Sequence, residues 1–316
     1  MAVPIELVFY APEEDDANGA AKAVFERFRR LNQVLSDFDP NSDISMLSQS
    51  AGDGRAHPVG PDLWAVLFRA QEVARQSDGA FDVTVGPAVR LWRRARRQKQ
   101  LPSQERIDQA LQLVGYERIR LDPCQRAVEL TKPGMQIDLG GIAKGYAIDE
   151  GLRVLRTLGI TRAMIHAGGD IGLADPPPDK PGWTIGVGLL EPTARPARFV
   201  SLSRCAVATS GDMWQFVVIA GKRYSHIVDP KTGIGLTEHC SVTVIAPEAM
   251  TADALSTAVS VLGPERGLRL VDQTPQAAAF IVRASPSKVE IYQSRRWQDL
   301  REAPVEPGGT PKQPPS

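Results

Sequence analysis

Apolar residues recur at three- and four-residue steps in four stretches of the chain, the spacing that gathers them on one face of an α-helix. Ala20, Val24, Phe28, Leu31 and Leu35 predict a helix over about 19–38, and Leu63, Val66, Leu67, Ala70, Val73 and Ala74 predict a second that ends at Gly79. A third runs from about Gly141 through Ile148, Leu152, Leu155 and Leu158 to Gly159, and Leu255, Val259 and Leu262 mark a fourth closed by Gly263-Pro264. Short apolar runs, many bounded by Gly, Pro or Asp, predict strands over 1–10, 119–122, 128–131, 135–139, 163–166, 183–190, 216–219, 223–228, 241–246, 278–282 and 289–293. Several of these follow one another without a helix between Trp183 and Ala246. The pattern therefore predicts an α+β fold, with mixed or antiparallel sheets and packed helices, rather than an alternating doubly wound one. Residues 303–316 alone have the Pro/Gly composition of a disordered tail, which leaves 1–302 as the folded body.

Composition narrows the function classes. The 316 residues carry 37 Lys plus Arg against 37 Asp plus Glu, so the net charge is zero and a protein built to neutralise nucleic-acid phosphates is disfavoured. Cys124, Cys205 and Cys240 are far apart and show no paired spacing, which indicates neither a disulfide framework nor a zinc site. No apolar run approaches the roughly 18 residues of a membrane span. Residues 1–20 also lack the charged start and apolar centre of an export signal.

Five short segments combine glycine with chemically active side chains: 79–82 (GAFD), 138–146 (DLGGIAKGY), 167–170 (AGGD), 209–212 (TSGD) and 224–230 (YSHIVDP). In the second, an apparent strand ends in Gly140-Gly141 and a helix follows with Lys144 near its start. Backbone N–H groups and an ammonium could there converge on an anion such as phosphate. The segment is neither a Walker A loop nor a GxGxxG fingerprint, and a tight turn with a solvated lysine accounts for it equally well. Asp253 and Thr257 share one face of a predicted helix, so two hard oxygens could meet a Mg²⁺ ion; an acidic residue favoured by the helix dipole is the plainer account.

His226 ends a predicted strand near hydroxyls and carboxylates, where an imidazole can act as a general base or simply hold a turn. Phe81 and Asp82 suit either a stacking ring beside a ring-binding carboxylate or a core phenyl beside a turn residue. The run Arg90, Arg93, Arg94, Arg96, Arg97 and Lys99 reads best as a solvated helix face in a neutral protein.

Together, in order, the segments MAVPIEL, LSDFDPNSDISMLS, GAFDVTVGPAVRLW, IDLGGIAKGYAID, HAGGDIG, ATSGD, YSHIVDPKTG and SVTVIAPEAMTADALSTA resemble the ApbE family of FAD:protein FMN transferases over 1–292. The resemblance implies two lobes around a central FAD cleft. It also implies a Mg²⁺-dependent enzyme that splits FAD, transfers FMN to a Thr or Ser hydroxyl of an acceptor protein and releases AMP. By motif position, Met1, Phe38, Ala80, Phe81, Asp82, Asp138, Lys144 and Ile227 would bind FAD, and His226 would be the base. Mg²⁺ would take the carbonyl of Gly141 with the side chains of Asp253 and Thr257. Phe38 stands where Tyr is frequent in the family, Gly141 where Ala or Thr is common, and Met1-Ala2-Val3 where Met-Gly-Thr is usual. Two other readings stand beside it: a hydrolase that uses the same residues and gives free FMN and AMP, and a non-catalytic FAD-binding module, which sits poorly with His226, Asp253 and Thr257 together. Family members are commonly exported and often lipid-anchored, so location and membrane association stay open.

Overall fold

The computed structural model describes residues 3–188, 190–191, 196–213, 215–285 and 287–303. In chain order the elements are β1 (Ile5–Phe9), α1 (Glu14–Leu35), α2 (Asp43–Gln49), β2 (His57–Pro58), α3 (Pro61–Gln76), α4 (Gly86–Gln98), α5 (Gln104–Leu111), β3 (Ile119–Asp122), β4 (Ala127–Leu130), α6 (Ala143–Thr157), β5 (Ala163–Ala167), β6 (Asp170–Leu173) and β7 (Trp183–Val187). There follow β8 (Arg198–Leu202), β9 (Cys205–Gly211), β10 (Phe216–Ile219), β11 (Lys222–Ser225), β12 (His239–Ala246), α7 (Ala249–Gln273), β13 (Ala278–Ala284) and β14 (Val289–Gln293). The fold is α+β, as the pattern predicts.

A seven-stranded sheet in the order β1-β5-β6-β9-β12-β13-β14 forms the frame, and every pairing within it is antiparallel. Alternation along its strands separates two cores. Ala206 and Ala208 of β9, with Val242 and Val244 of β12, turn toward α1, α3, α6 and α7. Val207 and Ile245 turn the other way, with Phe280, Val282 and Trp297, and the ribbon β7–β8 covers them with Trp183, Ile185 and Val200. A third cluster packs Ala88, Trp92 and Ala95 of α4 against Val217, Ile219 and Tyr224 of the β10–β11 hairpin.

Two close approaches determine where the helices sit. A Cβ on Gly145 of α6 would lie 2.2 Å from the carbonyl oxygen of Ala249, so only glycine lets α6 meet the start of α7. Asp149, one turn on, accepts the N–H groups of Ala249 and Met250 at 2.8 Å each, capping α7 where the helix dipole favours a carboxylate. Burial pushes the Asp149 carboxyl up to about 7.

The sequence expectations need three corrections here. The strand expected over 135–139 is an extended segment outside any sheet. Ile137 donates to Ser48 Oγ and Asp138 to the carbonyl of Val83, so a side chain and a turn take the bonds a neighbouring strand would supply. The helix expected to close at Gly263-Pro264 resumes there. Gly263 leaves helical geometry at φ 74°, and Pro264 opens the continuation, a position where its missing N–H costs nothing. The strand expected over 223–228 stops at Ser225, which leaves His226 beyond the hairpin.

Candidate functional site

The α6–α7 contact brings three charged side chains together. Lys144, in the first turn of α6, places Nζ 2.9 Å from Asp170 Oδ2 and 3.0 and 3.1 Å from the two carboxylate oxygens of Asp253. Gly145 N–H also donates to Asp253 Oδ2 at 3.2 Å. Asp170 and Asp253 are both 2% exposed. The contact between Lys144 and Asp170 Oδ2 is an ion pair without hydrogen-bond alignment, so that buried oxygen has no donor. Burial works against the Lys144 ammonium, but the carboxylates of Asp170 and Asp253 outweigh it and raise its pKa. Burial first, and the Asp253 charge second, push Asp170 up to about 7. The solvated lysine considered from sequence is thus replaced by an ammonium held between two buried carboxylates.

Thr257 follows Asp253 by one turn and faces Gly141, where a Cβ would lie 2.9 Å from Thr257 Oγ1 and 3.3 Å from the edge of the Phe81 ring. Gly141, Asp253, Thr257 and Phe81 are therefore neighbours, although they come from three separate stretches of chain. Phe81 and Ala80 are buried. Asp82, also buried, caps a short 3₁₀ turn: its Oδ1 accepts Thr84 N–H at 2.8 Å and Thr84 Oγ–H at 2.6 Å. Burial pushes its carboxyl up to about 6.

A second cluster surrounds Arg93 of α4. Its guanidinium donates to Asp37 at 2.6 Å and to Asp138 Oδ2 at 2.8 Å, and stacks 4.3 Å from the centre of the Phe38 ring. Asp138 Oδ1 accepts the N–H of Gly140 at 2.8 Å, which shapes the turn into Gly141 and Lys144. Burial raises the Asp138 carboxyl, and the nearby Asp37 charge adds to the effect. Phe38 is 77% exposed, an aromatic face open to a planar ligand. The arginine run is accordingly more than a solvated face, since Arg93 holds two of the site's acidic residues.

His226 lies after β11, and its Nδ1 is 3.2 Å from the carbonyl oxygen of Gln215. A carbonyl only accepts, so Nδ1 carries the hydrogen and the neutral ring leaves Nε2 as its basic nitrogen. Burial, then the charge of Arg96, push the pKa down to about 4, with Lys144 contributing further. The ring is thus a weaker base than an ordinary imidazole. Ile227 is buried beside it and donates its N–H to Ser225 Oγ at 3.1 Å. The Trp92 indole N–H donates to the Ser225 carbonyl at 2.9 Å and so fastens α4 to the residue before His226.

Residues 1–281 match the sequence profile of the ApbE family. The chain belongs to that family. It is 32% identical over 262 residues to the FAD:protein FMN transferase of Haemophilus influenzae, covering 80% of this chain and 75% of the relative. With the FAD:protein FMN transferase of Treponema pallidum it is 31% identical over 284 residues, covering 84% and 78%. The flavin transferase ApbE from Vibrio cholerae superposes with a TM-score of 0.84 at 27% identity, covering 95% and 96% of the two chains. The ApbE protein from Thermotoga maritima gives a TM-score of 0.83 at 32% identity, covering 94% and 95%.

Of the positions that the ApbE resemblance selects, the structure gathers Gly141, Lys144, Asp253, Thr257 and Phe81 directly. Phe38 and Asp138 meet through Arg93, and Ala80 and Asp82 flank Phe81. Met1 lies outside the described residues, as do residues 304–316 of the expected tail. Asp170 and Arg93 belong to the same constellation but were not among the selected positions. Asp170 was visible only as the end of the AGGD segment, and Arg93 only as one charge in a run. No grouping of three or more His, Cys, Asp or Glu side chains suited to a metal occurs among the described residues. An oxygen set of one carboxylate, one hydroxyl and one backbone carbonyl is of a different kind.

Proposed function

We propose that this ApbE-family chain is a FAD:protein FMN transferase, moving FMN from FAD to a Thr or Ser hydroxyl of an acceptor protein. The observation that carries the reading is the convergence of Lys144, Asp170, Asp253, Thr257 and Gly141 at the α6–α7 contact, within electrostatic reach of His226. The curated relatives bearing that enzyme name supply its chemical class. FAD would lie across these groups, with its rings toward Phe38 and Phe81 and its diphosphate toward Lys144.

In the transfer, the acceptor hydroxyl oxygen attacks the phosphorus of the FMN half. The P–O bond to the AMP half breaks, and its electron pair leaves on the AMP phosphate. The hydroxyl proton goes to Nε2 of His226, for which the Nδ1 hydrogen bond fixes the tautomer. A pKa near 4 makes the free imidazole a weak base. The diphosphate brings negative charge close to the ring and strengthens it when substrate is bound.

Gly141, Asp253 and Thr257 would hold Mg²⁺ through a carbonyl, a carboxylate and a hydroxyl. The structure suits this set: all three are oxygen donors of the kind a hard cation takes, and the Asp253 carboxylate already holds a cation, the Lys144 ammonium. When bound, the ion supplies charge neutralisation at the phosphoanhydride.

The test incubates purified protein with FAD, Mg²⁺ and an acceptor domain. Acid-stable protein-linked flavin appearing with AMP is expected. Free FMN with AMP would indicate the hydrolase, and intact FAD bound without turnover would indicate a binding module; either would sink the transferase reading.

A further inference from the structure

The cations of the site are unequally committed. Lys144 faces two carboxylates, Asp170 and Asp253. Arg93 likewise faces two, Asp37 and Asp138. Each of these two cations is therefore already engaged by two carboxylates, whereas a diphosphate brings two further negative charges. Arg96 differs. Among the described residues its side chain has no ion pair or hydrogen bond, and its Nε is buried without a partner.

Arg96 also points the right way along α4. It follows Trp92 by four residues and Arg93 by three, so it shares a helix face with both. Trp92 is fastened to Ser225, the residue before His226, and Arg93 is fastened to Asp138, the residue that leads into the Gly140-Gly141 turn. Arg96 is thus carried on a helix fixed at both of the places between which a phosphoanhydride would react. Its charge and that of Lys144 both act on the His226 ring. Burial and the adjacent Arg93 cation hold the Arg96 pKa below the ordinary arginine value. A guanidinium so placed stays charged and is relieved by an anion.

We infer that Arg96 is a diphosphate-binding residue of the FAD site, adding to Lys144 a positive charge that no carboxylate shares. The inference rests on the FMN-transfer reading for the identity of the ligand. In the transfer step Arg96 faces the charge that accumulates on the AMP phosphate as the P–O bond breaks, and no further reactant is needed.

The experiment measures binding of FAD, and of riboflavin as a probe without phosphate, by flavin fluorescence with no acceptor present. Arg96→Gln is expected to weaken FAD roughly tenfold to a hundredfold, the range for losing a charge-assisted hydrogen bond, and to leave riboflavin unchanged. Arg96→Lys should recover part of the loss, and the salt dependence of FAD affinity should flatten in Arg96→Gln alone. Equal weakening of FAD and riboflavin would make Arg96 a structural residue and overturn the inference, as would wild-type FAD affinity in Arg96→Gln. If Arg96→Gln melts early, Arg96→Lys decides: normal melting with FAD affinity as poor as that of Arg96→Gln also overturns it. Because no acceptor is present, a wild-type protein that binds FAD but transfers nothing would count against the transferase reading only. Normal transfer with an unchanged KM for FAD in Arg96→Gln would count against Arg96 only.

Discussion

Lys144 Nζ lies 2.9 Å from a carboxylate oxygen of Asp170, a residue of β6 that is 2% exposed and meets Lys144 only because α6 packs over the sheet. With Asp253 on the other side, one ammonium separates two buried acids. That geometry makes Lys144 a stabilising element as well as a candidate ligand for phosphate.

Replacing Lys144 by Met should therefore destabilise the fold by about 3 kcal/mol, the lower end for breaking a buried ion pair from one side. Urea unfolding measures it. Mg²⁺ should restore part of the loss and raise the melting temperature more than it does in wild type, since the freed carboxylates gain a cation partner. A variant as stable as wild type and indifferent to Mg²⁺ would remove both roles.

His226 gives a pH prediction with a definite sign. With its folded pKa near 4 and an unfolded value near 6.5, the unfolded chain binds more protons between those limits. Stability contributed by the neutral ring is complete above about 6.5 and is lost as pH falls toward 4. His226→Gln should flatten the stability profile over that window and abolish transfer, while FAD still binds. A wild-type kcat/KM that already halves near pH 6.5 would contradict the low pKa.

Gly145→Ala probes the helix contact. Its Cβ would overlap the Ala249 carbonyl at 2.2 Å, backbone that cannot swing aside. A loss of about 1–3 kcal/mol is expected from forcing the helices apart. The same separation stretches the bond from Gly145 N–H to Asp253. Metal-dependent turnover should thus fall further than stability alone explains, as thermal melting and initial rates together would reveal.

Phe38→Ala removes a ring that is 77% exposed, so stability should stay within about 0.5 kcal/mol of wild type. FAD affinity should fall roughly tenfold if the ring stacks on the ligand, in line with ~1–3 kcal/mol for aromatic stacking on a base. Unchanged affinity by fluorescence titration would place the ligand elsewhere.

Much of the frame was legible from periodicity, because α1, α3 and α6 each bury a regular apolar stripe. β9 was not, although it is the central strand. Its sequence CAVATSG has few bulky β-formers, and its small residues are there because α7 packs closely on it. The helices α2 and α5, with seven and eight residues, are too short for a clear stripe. At the site, glycine-rich turns and the Asp253/Thr257 spacing identified positions but not partners. That Asp170 meets Lys144, and that Arg93 joins Asp37 to Asp138, depends on tertiary approach over long separations. The low pKa of His226 likewise follows from burial and from Arg96, neither of which is written in the local sequence.

The carboxylates that grip Lys144 come from a strand at Asp170 and a helix at Asp253, and that helix follows β12, the strand paired with β9, in the chain. A nascent or truncated chain ending at β9 has the lysine and one acid, but not the second acid or His226. The paired acids around Lys144 are therefore complete only once α7 is in place.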